Sequence, residues 1–169
     1  WNASIVLPST LQAMDEAVAP DSDDLGRASG EQATILGSGG PDAFGYRWID
    51  SDQPGGPGYL WFDISGGLGT PLNMDDNSFS GPHAIGFPFS FYGSNFSNLY
   101  ISSNGFLTFN SAGNFYSLNN AIPSVPFPNN LVAGYWDDLH PGTGGTIYKY
   151  QDTANGRFVV QWNAVPHKV

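Results

Sequence analysis

Apolar and polar residues alternate with a period of two along residues 84–109, AIGFPFSFYGSNFSNLYISSNGFLTF. Phe87, Phe89 and Phe91 fall on one face of an extended chain, and the residues between them fall on the other. This alternation is typical of strands with one buried face. The segment therefore predicts part of a sheet and not an active site.

Similar short segments recur from residue 44 onward, separated by loops rich in Gly and Pro. They predict strands over residues 44–49, 59–64, 85–92, 99–103, 106–109, 131–136, 146–151 and 157–165. Asn104-Gly105 and Asn155-Gly156 each lie between two of these strands, and Asn-Gly favours the positive φ angles of a type I′ hairpin turn. Aromatic residues (15%) outnumber charged ones (12%), which suits an all-β fold, an antiparallel β-sandwich filled by aromatic side chains.

The first 43 residues differ from the rest of the chain. They contain few aromatic residues and a cluster of acidic residues, which are Asp15, Glu16, Asp21, Asp23 and Asp24. We expect residues 1–43 to form an extended N-terminal arm or linker, and residues 44–169 to form the sandwich domain. Within the arm, Ser9 could cap a short helix that ends at Pro20. Alternatively, Ile5, Val6 and Leu7 could form a strand that docks on a sheet edge.

The charge and composition exclude several classes of partner. The net charge is −10, so a nucleic-acid backbone or an anionic membrane surface would be repelled. No apolar run approaches the roughly 20 residues of a membrane span, and the chain contains no cysteine. The chain begins at Trp1 without Met, which favours a processed or trimmed product and an exported protein.

Four segments together carry a resemblance to a known family: residues 42–64, 85–109, 128–139 and 156–167, the second of which is IGFPFSFYGSNFSNLYISSNGFLTF. In order and spacing they resemble a nidogen-like domain, in the form found in bacterial modules appended to secreted subtilisin-like peptidases and multidomain surface proteins. The resemblance implies an antiparallel β-sandwich without catalysis of its own, located outside the cell or on its surface.

The sequence departs from that family at one end of the domain. The strand that resembles residues 157–167 is usually followed by another hairpin, which this sequence does not contain. We therefore expect a sandwich that lacks its closing strands and has an open edge. Either the chain is a fragment of a longer protein that contains those strands, or another segment fills the gap. The N-terminal arm, or the arm of a neighbouring copy, is the candidate to fill it by strand addition.

Calcium is the candidate cofactor. Asp50 and Asp52 flank Ser51 before a Gly-rich turn, so two carboxylates spaced by two residues could face one hard cation. Asp137 and Asp138 form another oxygen-rich pair, although neighbouring residues of a strand face opposite sides. We predict these four aspartates as metal ligands, with a polar turn as the alternative interpretation of residues 50–56.

Catalytic motifs are missing from the sequence, which contains no GxSxG, no P-loop and no HExxH. His83, His140 and His167 each adjoin Pro and are predicted to lie in loops. The strand aromatics are predicted to be mainly core residues, with an exposed platform for sugars or proteins as the alternative; they are Trp48, Trp61, Trp136, Trp162, Tyr46, Tyr59 and Tyr135.

The sequence thus predicts a non-enzymatic extracellular module for structure or adhesion. It would bind other copies of itself or a surface protein by strand addition, as a homo-oligomer or a filament subunit. The alternative is an accessory domain of a secreted subtilisin-like peptidase or another exported enzyme.

Overall fold

The computed structural model describes residues 2–8, 37–58, 60–110 and 128–168, which belong to two compact units. The larger unit combines Trp1–Thr10 with Asp63–Val169, and the smaller unit is Leu11–Phe62. The smaller unit spans residues 43 and 44, and the predicted division into an arm over residues 1–43 and a sandwich domain over residues 44–169 stays a prediction. The predicted helix over residues 9–20 lies outside the described residues.

The described residues form ten strands and two 3₁₀ turns, the turns at Pro141–Thr143 and Thr153–Asn155. In chain order the strands are β1 (Asn2–Pro8), β2 (Ser38–Gly39), β3 (Trp48–Ile49), β4 (Thr70–Leu72), β5 (Phe79–Phe91), β6 (Ser94–Ser102), β7 (Phe106–Thr108), β8 (Leu131–Ala133), β9 (Thr146–Asp152) and β10 (Arg157–Asn163). No helix among the described residues is long and apolar enough to span a bilayer.

Two four-stranded antiparallel sheets build the larger unit. Sheet 1 has the order β1-β10-β9-β4, and sheet 2 has the order β5-β6-β7-β8. In sheet 1, β1 pairs with β10 along its whole length, from Asn2 opposite Asn163 to Pro8 opposite Arg157. The all-β sandwich predicted from the sequence is confirmed.

The core lies between the inner faces of the sheets, where side chains from alternate strand positions meet. Sheet 1 contributes Ile5, Leu7, Ile147, Phe158, Val160 and Trp162, and sheet 2 contributes Ile85, Phe89, Leu99, Ile101 and Leu107. The Trp162 indole donates a hydrogen bond to the carbonyl of Ser102 (3.0 Å), so its polar atom is satisfied inside the core. Pro88, Ser90 and Tyr92 are exposed while Phe89 is buried, as the alternation predicts.

β10 is buried on both faces, from Phe158 to Trp162. On its outer face the Gln161 side chain accepts a hydrogen bond from Ile64 N (2.8 Å) and donates one to Asp63 Oδ1 (2.9 Å). Residues 63–64 therefore cover this face. A strand was predicted over residues 59–64, but residues 60–64 form none, and Tyr59 lies outside the described residues.

The predicted type I′ turns at the two Asn-Gly pairs are wrong, because that turn needs positive φ at both residues. Asn104 and Asn155 do not have positive φ, whereas Gly105 (φ 80°) and Gly156 (φ 59°) do. Residues 103–105 form a longer connection between β6 and β7. In this connection the Asn104 side chain forms hydrogen bonds with neighbouring loops instead of a tight turn.

The smaller unit contains the two-residue pair β2–β3. The carboxylate of Asp42 organises the turn between these strands by accepting hydrogen bonds from the backbone N–H groups of Phe44 and Tyr46 (both 2.9 Å). The strand aromatics were predicted to be mainly core residues. Trp48 is 52% exposed and does not belong to the core, whereas Trp162 is 1% exposed and does.

Candidate functional site

The edge of β10 is the place where the sequence predicted an open sheet, and the structure places β1 there. Ile5 and Leu7 point into the core and are 6% and 3% exposed. They lie opposite Val160 and Phe158 in the antiparallel register. The arm of the same chain thus supplies the strand, which is one of the two occupants expected from the sequence.

A glycine that follows the last strand of sheet 2 lies against Ile5. A Cβ atom on Gly134, the residue after β8, would lie 3.0 Å from Ile5 Cγ1 and 3.5 Å from Cδ1. A side chain at position 134 would therefore require Ile5 to shift by a few tenths of an ångström. On the other side of β1, Ser4 Oγ is buried without a hydrogen-bond partner among the described residues.

Asp50 and Asp52 lie together in the smaller unit. The hydrogen bond between the two carboxyl groups raises the pKa of Asp50, helped by desolvation and by repulsion from Asp52, and the same hydrogen bond lowers the pKa of Asp52. Gln53 also donates to Asp52 Oδ1 (3.1 Å). Asp50 Oδ1 is buried without a partner among the described residues. The two carboxylates therefore face each other, as the spacing predicted.

Asp137 and Asp138 belong to the larger unit and contact different partners. Asp137 Oδ1 accepts a hydrogen bond from Asp138 N (2.9 Å) and lies 3.5 Å from His167 Nε2. The carbonyl of Asp138 accepts a hydrogen bond from Lys168 N (2.7 Å). The pKa of Lys168 is raised by its contact with Asp76 and, to a smaller extent, by Asp138. A lysine ammonium thus supplies positive charge to this acidic loop.

No group of three or more His, Cys, Asp or Glu side chains suited to a metal ion occurs in the described ranges. The two aspartate pairs belong to different units. The calcium ligands therefore stay a prediction.

Asn104 connects the loops at the end of the sandwich that carries Asp137, a role the turn motif did not indicate. It is 1% exposed. Its Nδ2 donates to Asn77 Oδ1 (2.9 Å), its Oδ1 accepts from Leu139 N (3.1 Å), and its carbonyl accepts from Asp137 N (3.3 Å). One side chain thus holds the loop before β5 and the loop after β8 against the β6–β7 turn.

A serine, a histidine and a charged residue lie in a row, as in a catalytic triad; they are Ser80, His83 and Lys149, and we call them the trio. His83 lies in β5 and not in a loop, so that prediction is wrong; β5 is an edge strand, where the Pro82 nitrogen needs no ladder partner. His83 Nε2 is 3.0 Å from Ser80 Oγ, and His83 Nδ1 is 2.7 Å from Lys149 Nζ.

The proton positions in this trio are the reverse of those in a nucleophilic triad. The Lys149 ammonium can only donate, so His83 Nδ1 accepts and Nε2 carries the proton that it donates to Ser80. Burial and the charge of Lys149 both lower the pKa of His83. A base must instead accept the serine proton and be oriented by an acceptor on its other nitrogen. The trio therefore does not activate Ser80.

A family model described as NIDO related matches residues 60–169. Neither the curated proteins nor the solved structures give a significant match to the chain. The matched residues contain every strand from β4 to β10. β1, the strand that completes sheet 1 beside β10, lies outside the matched range.

Proposed function

Because the chain belongs to the NIDO-related family, whose domains are typically extracellular, we propose that it is a non-catalytic structural module of the cell exterior that assembles by strand addition. In this proposal the edge of β10 receives β1, and β1 of one copy can take the place of β1 in the next. Repeated head to tail, this exchange gives an oligomer or a filament.

The observation that carries the proposal is the position of β1 in the chain. It packs in the larger unit, yet the whole of the smaller unit, Leu11–Phe62, separates it in sequence from the next residue of that unit. Exchange of such a terminal element between copies preserves its contacts, since the donor strand meets the same β10 edge in either arrangement.

The energetics of docking favour a strand that can exchange. Burying Ile5 and Leu7 contributes about 1.5–3 kcal/mol each, and each backbone hydrogen bond adds about 1 kcal/mol. Ordering each residue of the strand costs about 1–2 kcal/mol. Because these totals are of similar size for a strand of seven residues, release of β1 from its own groove costs little net free energy.

The net charge supports the extracellular part of the proposal, and the trio of Ser80, His83 and Lys149 supports its non-catalytic part. A net charge of −10 suits a soluble exterior module that does not bind nucleic acid. The proton arrangement of Ser80, His83 and Lys149 argues against nucleophilic catalysis at this place. Calcium at the aspartate pairs is part of the proposal as a stabilising ligand and not as a catalytic one.

A designed disulfide tests strand addition between copies in the full chain, which has no cysteine of its own. Val6 and Val159 are partners in the register, and partners in antiparallel strands have Cα separations of about 4.5–5.5 Å, within the range of a disulfide. The Val6→Cys/Val159→Cys double variant is unfolded, refolded at rising protein concentration, oxidised and run on a non-reducing gel.

Strand exchange predicts a ladder of covalent oligomers that grows with protein concentration during refolding. The single variants Val6→Cys and Val159→Cys are the controls, and each should give at most a dimer. A disulfide that forms in high yield within single chains at every concentration would overturn assembly by exchange.

A further inference from the structure

We propose that Gly134 determines which strand the β10 edge accepts, by leaving a pocket for Ile5 that a larger residue at position 134 would close. This inference rests on the proposed function, in which the β1 strand of a second copy of this chain occupies the β10 edge. It adds a recognition rule: the residue at position 5 of the incoming strand must match the space above Gly134.

The need for glycine at position 134 is steric. Its φ angle lies outside the left-handed region, so the backbone conformation does not require glycine there. Instead, an added Cβ would lie 3.0 Å from Ile5 Cγ1, which is closer than ordinary van der Waals contact. A methyl group at this position and the Ile5 side chain therefore compete for one space.

The backbone around Gly134 has little freedom to move away. Gly134 N and Tyr135 N both donate hydrogen bonds to the carbonyl of Gly105, at 3.2 and 3.1 Å. Gly105 is itself packed against Tyr135, because a Cβ there would lie 1.7 Å from the Tyr135 carbonyl oxygen. The β6–β7 turn thus fixes the floor of the pocket, and any adjustment must come from the strand.

The two sides of β1 differ in how well they fit. Ile5 is enclosed on the inner side, whereas Ser4 on the outer side leaves its hydroxyl buried without a partner among the described residues. Position 5 therefore has a close steric match to Gly134, whereas the Ser4 hydroxyl makes no hydrogen bond among the described residues. Recognition of the strand should depend on position 5.

The test uses two full-length chains, a donor with Val6→Cys and an acceptor with Val159→Cys, refolded together and oxidised. The yield of the donor–acceptor disulfide, separated by a mass tag on one chain, measures exchange. Gly134→Ala in the acceptor weakens its own β1 and the native donor strand alike, because both carry Ile5, so the yield is compared between donors that differ at position 5. Ala133→Ser in the acceptor is the matched control, since it adds one atom at the neighbouring residue; it should leave the preference between donors unchanged.

A compensating change in the donor tests the pocket directly. With the Gly134→Ala acceptor, a donor that carries Ile5→Ala should be preferred over the native donor, whereas the native acceptor should prefer Ile5. If Gly134→Ala prevents folding, a donor with Ile5→Phe tests the same contact, because its side chain is too large for the space beside Gly134. With the native acceptor, this donor should give a lower yield of the donor–acceptor disulfide than the native donor.

The outcomes separate this inference from the proposed function. Efficient native exchange would overturn the pocket rule and leave strand addition intact if the Gly134→Ala acceptor does not prefer the Ile5→Ala donor and the native acceptor takes the Ile5→Phe donor as well as the native one. Absence of the donor–acceptor disulfide with native strands, while the double-cysteine chain closes within itself, would overturn the proposed function and with it the second-copy occupant.

Discussion

Replacing Asn104 with Ala should destabilise the sandwich far more than its place in an Asn-Gly turn suggests. The substitution removes the acceptor of Leu139 N and the donor to Asn77 Oδ1. Leu139 is 2% exposed, so water cannot easily replace the lost acceptor. A buried N–H without a partner costs about 1–3 kcal/mol, and the second hydrogen bond contributes about 1 kcal/mol.

The expected loss in the free energy of unfolding is therefore about 2–4 kcal/mol. For a chain of this size it corresponds to a fall in Tm of about 4–16 °C. Urea unfolding followed by tryptophan fluorescence gives the free energy, and calorimetry gives the Tm. The m-value should not change, because the surface exposed on unfolding is the same.

Asn155→Ala is the matched control, since Asn155 also precedes a glycine in a hairpin. Its side chain is exposed and donates to Asp152, which keeps its ion pair with Arg157 when Asn155 is removed. We expect a loss of about 1 kcal/mol or less. Equal effects of the two substitutions would refute the role of Asn104 as the connector of the loops.

Two further predictions concern pH and calcium. Because burial and Lys149 lower the pKa of His83 from its ordinary value of 6.5, the unfolded chain binds this proton more readily than the folded one. The contribution of neutral His83 to the free energy of unfolding should be complete above pH 6.5 and should decline as the pH falls below that value. In the His83→Gln variant, the free energy of unfolding should depend less on pH in this range. The same pH dependence in the variant and in the native chain would contradict the cross-sheet contact between His83 and Lys149. If calcium occupies the aspartate pairs, chelation should lower the Tm by several degrees, and Asp50→Asn with Asp52→Asn should remove part of that shift; a Tm unaffected by chelator would remove calcium from the account.

The strands were predictable because one buried face imposes a period of two. The Phe87–Phe91 alternation and the continuous apolar run of β10 both reflect burial that the residue types alone reveal. β4 was missed because it contains three residues, one of them Pro71. Such a short edge strand leaves no periodic signal.

The sequence limited the strand partner of β10 to two candidates, the arm of the same chain and the arm of a neighbouring copy, but did not decide between them. Ile5, Val6 and Leu7 have the composition of a strand, yet pairing across a long separation depends on which edge is free. The role of Asn104 was hidden for a related reason, since its turn chemistry is local while its hydrogen bonds reach Asn77 and Leu139. Gly134 gave no signal at all, because a glycine that admits a distant side chain resembles any other glycine in sequence.

The candidate metal ligands show the same limit. The carboxyl groups of Asp50 and Asp52 hydrogen-bond to each other in a turn, whereas their role as metal ligands stays a prediction. Neighbours such as Asp137 and Asp138 diverge toward His167 and Lys168. Local spacing thus predicts pairs, whereas a complete coordination sphere depends on tertiary contacts.

Electron microscopy of the native material tests the central claim most directly. The account predicts ordered oligomers or fibres in which density for residues 2–8 of one copy runs antiparallel to β10 of the next, with residue 5 above Gly134. Particles of single chains, each with residues 2–8 on its own β10 at every concentration, would contradict it.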